Sequence, residues 1–411
     1  MPTTGTTAPP TILAPPLEED DLPQKRILIV SSQTGGGHRS AARALEASLG
    51  ALEPSTYGQS PKVAIAHRIL EESSQLTRAL ALLYNHLLRH HQGEMHHYFR
   101  WIEGAKLHQQ PIVLRASWHY CKALLERFRP SAVVSVHPMM QYVFAGIIKA
   151  LGWTDKVPLI TVVTDPGSDV WHGWACPDVQ KYFVPSADSK DYLMSLGVPE
   201  EKISVSGMPV HPKFRPVHSE AEKRQLKANL GLHPDKFTVF LNAGWAGGGN
   251  IPSLLDAIMP MHHDKLQVIF LAGRNKALYQ ETFRKSLSSN LPVTVLSYVQ
   301  NMEQWMQASD VIVTKLGGLT TFEALSCHVP ILADCITPPM PQEAETVNLL
   351  ARTDTGLLIY SVEQFFESLE MLMTSTILLG YLREQTQKFA AAGASDRIAR
   401  QIIRVPSLIG I

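Results

Sequence analysis

Residues 26–49 read RILIVSSQTGGGHRSAARALEASL: a short apolar run, a glycine cluster, then a stretch whose alanines and leucines favour helix. Strand, glycine loop and helix in that order open a parallel α/β sheet. Candidate strands at Ala132–Val136, Leu159–Val163, Tyr182–Val184 and Ile203–Val205 follow, alternating with helical stretches. The segment from Met208 to Pro216 then places three prolines in nine positions, a density that neither a helix nor a central strand tolerates. Beyond it the pattern restarts. Strand Phe237–Leu241 runs into NAGWAGGGN at 242–250, and Leu266–Leu271, Val293–Leu296, Val311–Thr314 and Pro330–Ala333 read as further strands. The predicted fold is α/β, with two Rossmann-like domains of parallel strands. Ligands in such sheets bind at the carboxyl ends of the strands, so a central cleft faced by both sheets is the expected site. The predicted divisions are a disordered tail at 1–24, an N-terminal domain at 25–212, a C-terminal domain at 213–384, and a helical segment at 385–411 that packs back on the first domain.

Composition narrows the function. The 411 residues are 45% hydrophobic, enough for a large core, and 37 Lys and Arg against 37 Asp and Glu give no net charge. That balance speaks against a general nucleic-acid binder. Four cysteines without a C-x-x-C pair argue against a disulfide scaffold or structural zinc. The Thr- and Pro-rich start carries an acidic run at 18–21 and reads as a tail, not a signal peptide. The apolar stretch 132–153 is broken by His137, Pro138, Gln141 and Lys149, so no transmembrane helix is expected.

Four segments carry candidate chemistry. Thr34-Gly-Gly-Gly-His38 sits where the first strand turns into the first helix, so its glycines, Gly36 and Gly37 among them, allow close backbone approach at the positive end of a helix. It fits neither the dinucleotide fingerprint nor the P-loop. A tight packing turn is the plainer reading, but His38 adds a group able to take a proton near neutral pH. In the second half, Thr314-Lys-Leu-Gly-Gly-Leu-Thr-Thr-Phe-Glu323 enters a helix through Gly317 and Gly318, a place where exposed amides and the hydroxyls of Thr320 and Thr321 suit a pyrophosphate. Glu323 suits paired sugar hydroxyls; Thr320 as N-cap with Glu323 three residues later is the capping alternative. Pro338 to Glu343 reads as a proline-fixed loop offering Gln342 and Glu343 to a polar ligand, or as a solvated loop. Thr164, Asp165, His172 and Trp174 follow another strand and suit carbohydrate or lipid-headgroup contact, although Asp165 before proline also forms turns. Gly244 closes the list as part of the second glycine loop.

From Tyr84 to Pro130, seven Lys and Arg stand against three Glu, interleaved with seven histidines and with Tyr98, Phe99, Trp101, Trp118 and Tyr120. An interfacial surface, with Trp101 and Trp118 as apolar anchors, competes here with ordinary helices that have a solvated face, and more weakly with a histidine metal cluster.

Taken together, these segments, with Val184-Pro-Ser186 and Gly207-Met-Pro-Val210, resemble the monogalactosyldiacylglycerol synthase and diacylglycerol glucosyltransferase group of glycosyltransferase family 28. The resemblance implies a GT-B fold and inverting transfer of a hexose, galactose or glucose, from UDP-galactose or UDP-glucose to diacylglycerol, with no cofactor and no bound metal. It also implies a peripheral enzyme on anionic membrane lipids at the cytoplasmic face. On this resemblance Gly318, Leu319, Thr320 and Thr321 hold the diphosphate, Glu323 the ribose, and Gln342 and Glu343 face the sugar. His38 acts in catalysis or anionic-lipid activation, and Trp174 lies on the acceptor side, where Gly36, Gly37 and His172 are also placed. The general base is His38 or Asp165. The sequence departs from the family at Leu316-Gly317-Gly318, at Trp171 to Trp174, and at Pro341-Gln342-Glu343. The alternatives are a UDP-sugar 2-epimerase of the same fold and a non-catalytic nucleotide-sugar or lipid-binding protein.

Overall fold

The computed structural model describes residues 24–34, 36–53, 60–91, 94–167, 171–244, 249–336, 338–339, 341–389 and 393–405; most of the expected tail and residues 406–411 lie outside them. The chain divides into two compact units, Met1–Leu87 with Glu94–Pro212 and Gly393–Ile411, and Leu88–Gly93 with Lys213–Ala392.

The first unit is built in chain order from β1 (Arg26–Val30), α1 (Gly37–Gly50), β2 (Lys62–Ala66), α2 (Ile69–Ser73), α3 (Gln75–His90), α4 (Met95–Ala105), α5 (Pro111–Phe128), β3 (Ala132–Ser135), α6 (Gln141–Ala150), β4 (Leu159–Val162), β5 (Lys181–Val184), α7 (Ala187–Ser195) and β6 (Ile203–Val205). The second has α8 (Glu220–Asn229), β7 (Phe237–Asn242), α9 (Ile251–Ile258), β8 (Leu266–Leu271), α10 (Lys276–Ser286), β9 (Val293–Leu296), α11 (Met302–Gln307), β10 (Val311–Thr314), α12 (Gly318–Ser326), β11 (Ile331–Asp334), α13 (Pro341–Thr353), β12 (Gly356–Ile359), α14 (Val362–Thr374) and α15 (Thr376–Phe389). The last helix, α16 (Ala394–Arg404), belongs to the first unit.

Each sheet has six parallel strands, ordered β2-β1-β3-β4-β5-β6 and β12-β11-β10-β7-β8-β9. In β1 every side chain is buried, because the strand is covered on both sides. Ile27 and Ile29 pack with Leu45 of α1 and with Ile398, Ile402 and Ile403 of α16, while Leu28 and Val30 pack with Leu124 of α5 and Phe144 of α6. The apolar positions of α16 recur at helical spacing, which commits that face to the sheet. The predicted boundary at 384 falls inside α15. That helix stays with the second unit, where Leu382 joins the core.

Two strands escaped the sequence reading, β2 and β12. Both are short edge strands in which alanine or glycine interrupts the apolar run, so the local signal is thin and pairing defines them. Gly356 shows the constraint: a Cβ there would stand 2.3 Å from the Ile331 carbonyl oxygen. In both sheets the order reverses beside the first strand, between β1 and β3 and between β7 and β10. The loops leaving the carboxyl ends of those strands therefore diverge and leave a crevice.

Candidate active site

In the first unit the crevice lies between the loops after β1 and β3. Helix α1 starts earlier than the sequence suggests, with Gly36 as N-cap, Gly37 first and His38 second, so His38 sits in the first turn. Its ring lies 4.5 Å from the His137 ring and 6.1 Å from that of Trp174, centroid to centroid. Its Nδ1 is 3.2 Å from the Thr164 hydroxyl after β4. Burial holds the His38 imidazole down at about 4, opposed by a hydrogen bond to the Val136 carbonyl. At neutral pH the ring is unprotonated and can accept a proton. Asp165 accepts a 2.6 Å hydrogen bond on Oδ2 from the indole N–H of Trp174, which is fully buried.

His38, Thr164, Asp165 and Trp174 thus form one cluster. His172 does not complete it. Its Nδ1 is 2.7 Å from Glu103 of α4, its backbone N–H donates to the same carboxylate, and its ring stacks on Tyr192.

Sequence reasoning missed three residues here. The buried carboxylate of Glu71 accepts from the Ser32 hydroxyl at 2.7 Å and the Gln33 amide at 2.9 Å, and Asn85 donates to the Gln33 carbonyl. These bonds brace the glycine loop. His137 had a legible signal, a histidine directly after a strand, but appeared only as an interruption of an apolar run.

In the second unit the loops after β7 and β10 meet. Gly249, at φ +76°, lies so close to Lys315 that a Cβ there would stand 1.9 Å from the lysine Cε. Gly244 also takes positive φ, and its amide donates to Asn242 Oδ1 at 2.9 Å. Burial lowers the Lys315 ammonium, while Glu343 and Asp334 raise it. Asp334 in turn accepts from the Asn250 amide at 3.3 Å, tying the glycine loop to the end of β11. Lys315 and Asp334 are further residues of this site.

Helix α12 corrects the capping alternative. Its N-cap is Gly317 with no side-chain cap, and Thr320 lies within the first turn. The amides of Gly318, Leu319 and Thr320 have no intrahelical acceptor, the property that suits a diphosphate. Leu319 and Thr321 have buried side chains, and the Thr321 hydroxyl donates back to the Gly317 carbonyl at 3.2 Å. Glu323 is 8% exposed, and burial pushes its carboxyl up to about 8, opposed by Lys213 and reinforced by Glu303. The expected loop at Gln342 and Glu343 is instead the first turn of α13, which Pro341 opens. Glu343 is buried; the side chain of Gln342 lies outside the described residues.

In the basic, aromatic segment, Trp101 is 49% and Ile112 68% exposed, and Arg100 and Lys106 are exposed. Trp118 is not an anchor: it packs on the core, and a Cβ at Gly146 would stand 3.1 Å from its ring. Among the described residues no helix is long and apolar enough to cross a membrane, and no three His, Cys, Asp or Glu side chains are grouped to share a metal.

Two parallel sheets with glycine loops at their switch points define the GT-B class. Acinetobacter baumannii MurG has this fold, with a TM-score of 0.59 at 13% identity, covering 93% of this chain and all of that one. So does the UDP-GlcNAc 2-epimerase from Neisseria meningitidis bound to UDP-GlcNAc, at 0.58 and 15%, covering 92% and 100%. Fold alone therefore does not separate transferase from epimerase. Residues 38–210 match the monogalactosyldiacylglycerol (MGDG) synthase family and residues 247–345 the glycosyltransferase family 28 C-terminal domain. The probable monogalactosyldiacylglycerol synthase 2, chloroplastic, of Oryza sativa subsp. indica is 28% identical over 353 residues, 82% of this chain and 71% of that protein. The chain thus carries an MGDG synthase domain followed by a glycosyltransferase family 28 C-terminal domain, and it is a glycosyltransferase.

Proposed function

We propose that this enzyme transfers a hexose, galactose or glucose, from the corresponding UDP-sugar to diacylglycerol at an anionic membrane surface on the cytoplasmic face, with inversion at the anomeric carbon. The observation that carries the reading is the cluster of His38, Thr164, Asp165 and Trp174 at the carboxyl ends of β1 and β4, on either side of β3, in a chain whose residues 38–210 match the MGDG synthase family. His38, unprotonated, takes the proton of the acceptor hydroxyl. The freed oxygen attacks the anomeric carbon, and the bond to UDP breaks with its electron pair leaving on the diphosphate. Asp165 fixes Trp174 beside the acceptor.

In the second unit the first-turn amides of α12 receive the diphosphate and balance its growing charge, with Lys315 alongside. Glu323 accepts hydrogen bonds from the ribose hydroxyls, and Glu343 and Gln342 face the sugar. Exposed Trp101 and Ile112 with Arg100 and Lys106 suit a peripheral membrane contact, apolar groups at the boundary and basic groups at anionic headgroups.

The test is turnover of UDP-galactose and UDP-glucose with and without dioleoylglycerol in mixed micelles. A glycolipid product supports the reading. Conversion of a UDP-sugar to its 2-epimer without lipid product, or UDP-sugar binding with no turnover, refutes it.

A further inference from the structure

A chain of hydrogen bonds runs behind the glycine loop. The Met139 backbone N–H donates to His137 Nδ1 at 3.2 Å. An amide can only donate, so Nδ1 carries no proton, and the neutral ring holds its hydrogen on Nε2. Nε2 stands 2.6 Å from Thr34 Oγ1, so the imidazole donates and the hydroxyl accepts. Thr34 must then direct its own hydrogen elsewhere.

His137 is 3% exposed, and Ser135 pins its backbone at both the carbonyl and the amide. Burial and the adjacent His38 both hold the ring well below its usual protonation range. Phenylalanine or leucine would fill such a place if packing were its only purpose. A ring hydrogen-bonded on both nitrogens instead fixes the direction of one hydroxyl at the edge of the loop, where Thr34 is half-buried.

We infer that His137 is a positioning residue that orients Thr34 as a hydrogen-bond donor to a neutral oxygen, hydroxyl or ester carbonyl, of the lipid acceptor. The inference rests on the reading of this loop as the acceptor side. The donor holds the acceptor beside His38, whose ring packs on His137.

The experiment compares His137→Phe, His137→Gln, Thr34→Val, Thr34→Ser and the double variant His137→Phe with Thr34→Val, using UDP-galactose and dioleoylglycerol in mixed micelles, with UDP affinity measured in parallel. Thr34→Val and His137→Phe should each lower kcat/KM for the lipid about ten- to hundredfold with UDP affinity unchanged. The double variant should be no worse than the poorer single one, because the two groups act in series. Thr34→Ser, which keeps the hydroxyl, and His137→Gln, whose amide can still donate, should recover most of the loss. Additive losses, or Thr34→Val at full activity, overturn the inference. Should His137→Phe fail to fold, the contrast between Thr34→Val and Thr34→Ser decides. A loss confined to the KM for the UDP-sugar refutes the acceptor-side reading instead, and normal turnover by His38→Ala refutes only the base assignment.

Discussion

Replacing Glu323 by Gln separates two consequences of one buried carboxyl. Its folded value of about 8 stands about three and a half units above the ordinary 4.5, with burial as the main cause. Between those values the folded protein keeps a proton that the unfolded chain has released. The stability this provides is therefore complete below pH 4.5 and lost as pH rises through 8. At 1.36 kcal/mol per unit the loss amounts to about 5 kcal/mol. Glutamine does not ionise, so the variant should show no such decline and should exceed the wild type by several kcal/mol at pH 9. Ribose needs the opposite property. Above about pH 8, where the group is ionised, a carboxylate accepts from both hydroxyls, whereas one side of an amide donates, and losing a charge-assisted bond of about 1.5–3 kcal/mol should weaken UDP ten- to hundredfold at pH 9. Urea titrations from pH 5 to 9, followed by hydrogen exchange of the α12 amides, measure the first effect, and calorimetry with UDP the second. Parallel stability profiles for wild type and variant would refute the burial argument. Unchanged UDP affinity would refute the ribose role.

Asp310 holds Lys223 at 2.6 Å, Lys227 at 2.9 Å and Arg383 at 2.9 Å, and these partners overcome burial to keep its carboxyl at about 2. Asp310→Asn should therefore destabilise the second unit by about 3–5 kcal/mol in denaturant titration, because it leaves buried lysines without their counter-charge. His38→Ala should lower turnover about 10²–10⁴-fold with UDP affinity intact, and equal loss of both would mark a binding or packing residue. Burial also depresses His38, His67 and His108 to about 4, so they favour the folded state above pH 6.5. That contribution should fade as pH falls toward about 4, visible as acid-induced loss of near-UV circular dichroism in this interval. Arg100→Gln with Lys106→Gln should weaken sedimentation with anionic vesicles by about 1 kcal/mol per charge, with a smaller salt dependence and no change in UDP binding.

Local signals in the amino-acid sequence mark most of the elements and of the loops that matter. Apolar runs such as Ile27–Val30 and Val311–Val313, each entering glycines and then a helix, are local signals, and a parallel sheet puts such loops at its carboxyl edge. That much placed His38, Asp165, Gly318 and Glu323 near a site. Which loops meet depends on strand order. Residues 30 and 135 are far apart in the chain, yet the pairing of β1 with β3 sets Val30 beside Ser135, and so brings His137 against His38. The same holds for Lys315 over Gly249, where β7 and β10 are neighbours. Protonation was equally hidden. The identity of Glu323 or His38 sets its ordinary affinity for a proton, but burial by residues distant in sequence raises the carboxyl and lowers the imidazole. Tertiary structure also withdrew some of what the sequence offered. His172 is engaged by Glu103 and Tyr192, Trp118 by the core, and Thr321 by the carbonyl of its own helix, because each found a partner that only the folded chain supplies.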